Sequence, residues 1–307
     1  MRREERVAMA RAHSILEKYH LPPHDLHELP SSPATFPDGC QFRMEVSGVE
    51  SVAELDAVAD ESRKRGIPIH RVIAIGAGTH SLTISELKEL AQIAREARIE
   101  LIVIPGPRAN FDVGSHYHSP WGHASGVRAR GADQLAYLVE DVLRSVEVGL
   151  RGFLFYGEEA MQLFHQMRLH GDLPKDTVFK LSYTAGVSNP AGAKLAESVG
   201  ADSINPVSDL TLSMLAAIRS AVRVPLDIVT MAAEQNLGAI NRFWDGAEII
   251  RVCAPCYFKQ EFGPGVEGAR TKVKYCEIMQ ELVGRLNPAL RMSDRGPADL
   301  HLPVVGA

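Results

Sequence analysis

The sequence predicts an α/β chain folded as a (β/α)8 barrel with an extra N-terminal helix. Three observations carry that reading. Short apolar or alternating segments recur between helical stretches eight times over about 250 residues, the span such barrels occupy. The central stretch from Asp176 to Asp209 reads as strand, glycine-containing loop, helix and strand, a parallel βαβ unit. No G-x-G-x-x-G follows a first strand, as an open doubly wound nucleotide-binding sheet would require.

Taken in order, residues 2 to 20 predict an amphipathic helix with Val7, Ala10, Ile15, Leu16 and Tyr19 as its apolar stripe, packed outside the barrel. A proline-rich connection runs to residue 40, the barrel occupies 41–290, and 291–307 form a loose C-terminal tail on one domain. The expected strands are Gln41 to Ser47, Arg71 to Ile75, Glu100 to Ile104, Gly152 to Tyr156, Thr177 to Tyr183, Ala201 to Asn205, Pro225 to Val229 and Ile249 to Lys259. Helices are expected over Val52 to Arg65 (ended by Gly66), Leu82 to Ala97 (capped by Ser81 or Thr83), Asp133 to Val148, Ala191 to Val199, Leu210 to Val222 and Arg270 to Leu286. Before the fourth of these, Ser188 or Asn189 can cap and Pro190 suits the first turn.

Composition narrows the function classes. The 307 residues are 45% hydrophobic and carry a formal charge of −5 with no dense basic block, which argues against nucleic acid. No apolar run approaches the roughly 20 residues of a membrane helix. The charged N-terminus lacks the apolar core of a secretory signal, so the chain reads as cytoplasmic. Four cysteines, Cys40, Cys253, Cys256 and Cys276, are too few for a disulfide framework. Cys253 and Cys256 have the gap of a zinc or redox pair, but strand alternation would turn them to opposite faces as packed thiols.

In such barrels the chemistry lies at the C-terminal strand ends. Glu45 and Lys180 alternate with apolar neighbours and so project inward. A buried charge needs a partner, which points to each other, to Arg43 or to Asp227. The expected catalytic set is therefore Glu45, Lys180 and Asp227, with a structural ion network as the competing reading and an amine able to form a Schiff base as the sharper one. Substrate contacts are expected from Arg108, His80, His116, His118, Glu158, Ser182, Asn205 and Lys259. Arg108, with Arg128 and Arg130, and the helix start after Thr184 suit an anion. The loop of more than twenty residues after the third strand has the length of a lid over the mouth. Its His116, His118 and His123, with Asp112, leave a divalent metal open as the one cofactor considered, although no H-E-x-x-H spacing is present.

The segments GPRANFD, RGADQL, TVFKLS, Ser188 to Gly192, GADSINPVSDLTL, IRSAVRVPLDI and EIIRVCAPCYFK give a resemblance over residues 40 to 260. Through them the chain resembles bacterial TIM-barrel proteins labelled as the collagenase-like U-type peptidase family, whose mechanism is unassigned. The resemblance implies the barrel but no catalytic residue. Another branch of that family holds an iron–sulfur cluster on four cysteines, and the cysteines here are spaced differently. The expected function is acid–base chemistry on a small anionic metabolite, of lyase or isomerase type. A metal-assisted hydrolase or peptidase and a non-catalytic ligand- or partner-binding barrel are the alternatives. The expected partner is a small-molecule substrate, with no nucleic acid, no membrane, and a homo-oligomer left open.

Overall fold

Eight parallel strands close on themselves into a barrel. The structure, a computed structural model, describes residues 9–109, 114–120, 122, 125–232 and 239–305. The strands are β1 (Phe42–Val49), β2 (Arg71–Ala74), β3 (Glu100–Val103), β4 (Gly152–Phe155), β5 (Val178–Leu181), β6 (Ser203–Ile204), β7 (Leu226–Ala232), β8 (Ile240–Asn241) and β9 (Cys256–Glu261). Neighbours follow chain order from β1 to β7, and β9 closes the ring by pairing with both β7 and β1. β8 is an antiparallel addition to the end of β7, outside the ring.

The helices are α1 (Ala10–Lys18), α2 (Val52–Arg65), α3 (Ile84–Ala97), α4 (Gly131–Glu147), α5 (Glu158–His170), α6 (Pro190–Ser198), α7 (Leu212–Ala221), α8 (Gly246–Cys253) and α9 (Gly265–Leu286). Their starts follow local chemistry. Ser51 accepts from Glu54 N, Thr83 and Glu86 form a reciprocal capping box, and Asn189 accepts from Gly192 N with Pro190 in the first turn. Gly66 ends α2 at φ +69°, a left-handed turn that costs glycine little.

Alternation then divides the side chains into two sets. Phe42, Met44 and Val46 of β1 turn outward into the large apolar core under the helices. Arg43, Glu45 and Ser47 turn inward and are at most 4% exposed. On the opposite side of the interior, Ile73, Ile102, Ile104, Leu154 and Val178 form their own small cluster, separate from the outer core. The barrel interior is thus part charged and part hydrocarbon.

Three expectations need correction. The segment expected as one strand from Ile249 to Lys259 is helix α8 followed by strand β9, with Pro255 between them. A short apolar run reads alike for a strand and a buried helix, and here the i,i+3 pair Glu248–Arg251 marks the helix. Cys253 therefore lies on α8 and Cys256 on β9, both in the outer core. The apolar stripe expected on the N-terminal helix is not covered over its described part: no residue of Ala10–Lys18 is buried, Ile15, Leu16 and the following Tyr19 are exposed, and Val7 lies outside the described residues.

The tail is not loose. Its residues 291–304 lace the N-terminal end of the barrel. Met292 bridges to Phe42, the Arg43 guanidinium donates to both carboxylate oxygens of Asp299 (2.9 and 2.7 Å), and Val304 N donates to Gly149 O. His70 ties the tail to β1, accepting from Met44 N and donating to Ser293 O, both at 3.0 Å. No helix among the described residues is long and apolar enough to cross a membrane.

Candidate active site at the barrel mouth

Glu45, Lys180 and Asp227 come together in the middle of the barrel. Lys180 Nζ donates to both oxygens of Glu45 at 2.7 Å and lies 2.8 Å from Asp227 Oδ2, with all three side chains fully buried. Arg71 completes the network, 3.2 Å from Asp227 Oδ1, 3.6 Å from Glu45 Oε2 and 2.5 Å from Glu100 Oε2. Its guanidinium also donates to Ser203 Oγ and stacks 3.8 Å over the Tyr257 ring. Burial pushes the Glu45 carboxyl up, with Asp227 adding to the effect and Lys180 opposing it. Burial pushes Lys180 down against the pull of Asp227 and Glu45. For Arg71 burial works against the charge, and Glu100, Tyr257 and Asp227 outweigh it.

Above this network a cavity of about 210 Å³ opens at the C-terminal end of the strands. Ser47, Ser182, Tyr183, Lys259 and Glu261 line one side, and Ile73, Ile104, Leu154 and Tyr156 the other. Lys259 is its buried cation, 3% exposed, with Glu261 Oε2 at 3.0 Å and Asn205 Oδ1 accepting at 3.3 Å. Asn205 is oriented in turn by donating to Asp227 O and Pro206 O. Burial works against charge on Lys259, but Glu261 and Glu45 prevail and hold its pKa above the ordinary lysine value. Burial pushes the Tyr183 phenol up to about 12 and raises Tyr156 as well, so both rings present O–H donors. At the rim the Glu50 carboxylate lies in the room left by Gly76, where a Cβ would stand 2.6 Å from Oε1.

The residues named from the sequence divide by position. Ser182, Asn205 and Lys259 belong to the mouth or its support, while Glu45, Lys180 and Asp227 form the sealed layer beneath. Arg108 lies beside the mouth, 5% exposed, with its guanidinium 4.7 Å from the Tyr156 ring and donating to Gly76 O. Glu158 starts α5 and is held by Arg128 at 3.1 Å. His80 is exposed in a 3-10 turn, against the backbone of Gly78 and Gly106. His116 and His118 are exposed on the long loop and do not line the cavity. Asp112 and His123 lie outside the described residues.

Arg71, Glu100, Tyr257, Glu261, Tyr156 and Tyr183 are not among the residues the sequence singles out. For Arg71 and Glu100 a signal exists, since each shares the inward parity of an isoleucine two residues on. Among the described residues no group of three or more His, Cys, Asp and Glu converges as a metal site. Cys253, Cys256 and Cys276 are buried free thiols, and burial pushes Cys253 up to about 12.

No family model and no curated protein matches the chain. Solved structures do match it. The U32 peptidase Mk0906 is 15% identical, with 76% of this chain and 98% of that one covered at a TM-score of 0.46. The YdjI aldolase from Escherichia coli K12 is 10% identical over 80% and 90% of the two chains, at 0.45. A truncated 3-deoxy-D-arabino-heptulosonate 7-phosphate synthase from Thermotoga maritima is 14% identical over 87% and 96%, at 0.47. At these identities the likeness is one of fold.

Proposed function

We propose that the chain is an enzyme acting on a small anionic molecule in the mouth cavity by acid–base chemistry of the lyase or isomerase type. The observation that carries this reading is Lys259, an ammonium held charged at a cavity wall beside Glu261. A carbonyl or carboxylate oxygen of the substrate takes one of its N–H groups. Glu261 accepts a proton from the adjacent carbon, the electron pair moves onto that oxygen, and Lys259 stabilises the resulting enolate. Tyr183 or Tyr156, kept protonated by burial, supplies a proton for the reverse or onward step. Glu45 acts through Lys259: after Glu261 it helps keep that ammonium charged from its register position on β1, while Lys180 and Asp227 hold Glu45 in place.

The test is a thermal-shift screen of small carboxylates and phosphates, followed by proton NMR of each binder in heavy water. The expected result is a stabilising anion whose α-hydrogen exchanges for deuterium in the wild type and not in Glu261→Gln. Binding without exchange of any ligand would favour the silent ligand-binding barrel instead.

A further inference from the structure

The mouth cavity has two unlike walls. On one side lie Lys259 with its partner Glu261 and the hydroxyls of Ser47, Ser182 and Tyr183, with the Glu50 carboxylate at the rim. On the other, Ile73, Ile104 and Leu154 present hydrocarbon that is at most 7% exposed. These three belong to the apolar cluster inside the barrel, which Ile102 and Val178 continue and against which Tyr156 packs. None of these aliphatic side chains offers a donor or acceptor.

A polyhydroxylated ligand needs partners around its whole perimeter, and here half of its hydroxyls would be buried against isoleucine and leucine unpaired. A ligand with one anionic end and one hydrocarbon end meets both walls correctly. We infer that the site takes a small amphipathic carboxylate, its acid group on Lys259 and an aliphatic body of a few carbons along Ile73, Ile104 and Leu154. This rests on the reading of the mouth as the substrate site and specifies the substrate class. It also separates the two halves of the ligand by residue: head-group affinity belongs to Lys259, and chain-length preference to the isoleucine–leucine wall.

The experiment uses the full chain and a homologous series of acetate, propionate, butyrate and isovalerate, with inorganic phosphate and ribose 5-phosphate as polar probes. Affinity is read by titration calorimetry or by melting temperature at fixed concentration. The expected result is a gain of about fourfold per carbon added, the increment of burying one methylene, with no gain from phosphate to ribose 5-phosphate. Ile104→Thr is expected to flatten the series and leave acetate unchanged, and Lys259→Met to remove all members. Should Ile104→Thr fail to fold, the wild-type series still decides. A flat series with measurable acetate binding overturns the amphipathic ligand and leaves the anion site standing. No binding by any anion overturns both.

Discussion

Lys180 Nζ stands 2.7 Å from each carboxylate oxygen of Glu45, and neither side chain has any exposed surface. The pair spans the barrel from β5 to β1, and Asp227 and Arg71 close the charges around it. Burial lowers the Lys180 pKa, but an amine sealed between Glu45 and Asp227 has no surface from which to meet a carbonyl carbon, as imine chemistry needs.

Removing that cation tests the point. Lys180→Met keeps the length of the side chain and leaves Glu45 and Asp227 without their shared partner. The expected loss is roughly 3–5 kcal/mol of stability, the cost of stranding a buried charge, measured by urea denaturation. An unchanged midpoint with lost turnover would instead restore Lys180 as a catalytic amine.

Borohydride reduction with small carbonyl compounds supplies an independent check. The intact mass is expected to remain that of the unmodified chain, because Lys180 is sealed and Lys259 is held protonated. A reduced adduct mapped to either lysine would contradict the assignment of both.

Acid stability should depend on His70. Burial pushes its pKa from 6.5 down to about 4, so the folded chain holds it neutral while the unfolded chain protonates it first. The unfolded state then binds more protons below pH 6.5, and stability falls as pH drops from 6.5 towards 4. The contribution at stake is on the order of 3 kcal/mol at the acid end of that window. His70→Gln is expected to be less stable at neutral pH and to show a flatter acid limb in a series of melting curves.

The tail should behave as part of the barrel. At Gly149 φ is +97°, and a Cβ there would overlap Val304 O. Gly149→Ala is expected to cost roughly 2 kcal/mol and to speed proteolysis after residue 290. Asp299→Asn weakens the bidentate grip on buried Arg43 and is expected to cost about 2 kcal/mol. A wild-type proteolysis pattern in both variants would mean the tail is dispensable.

The architecture and the inward parity of the charged residues are legible in the chain before it folds. Periods of 2 and 3.6 separate strands from helices without any tertiary contact, and Ser51, Thr83 and Asn189 cap their helices through local hydrogen bonds. The same parity turns Glu45 and Lys180 inward, because their neighbours on either side are apolar and seek the helices. Height along the barrel is not legible there. Lys180 and Lys259 are both inward lysines on alternating strands, yet one is sealed and the other lines the mouth. Alternation gives a face, while strand tilt and register across eight pairings set which inward side chains meet. The same limit hid the break of α8 from β9 and the tail beneath Arg43, because an apolar run and an irregular chain end acquire their place only from the surface they cover.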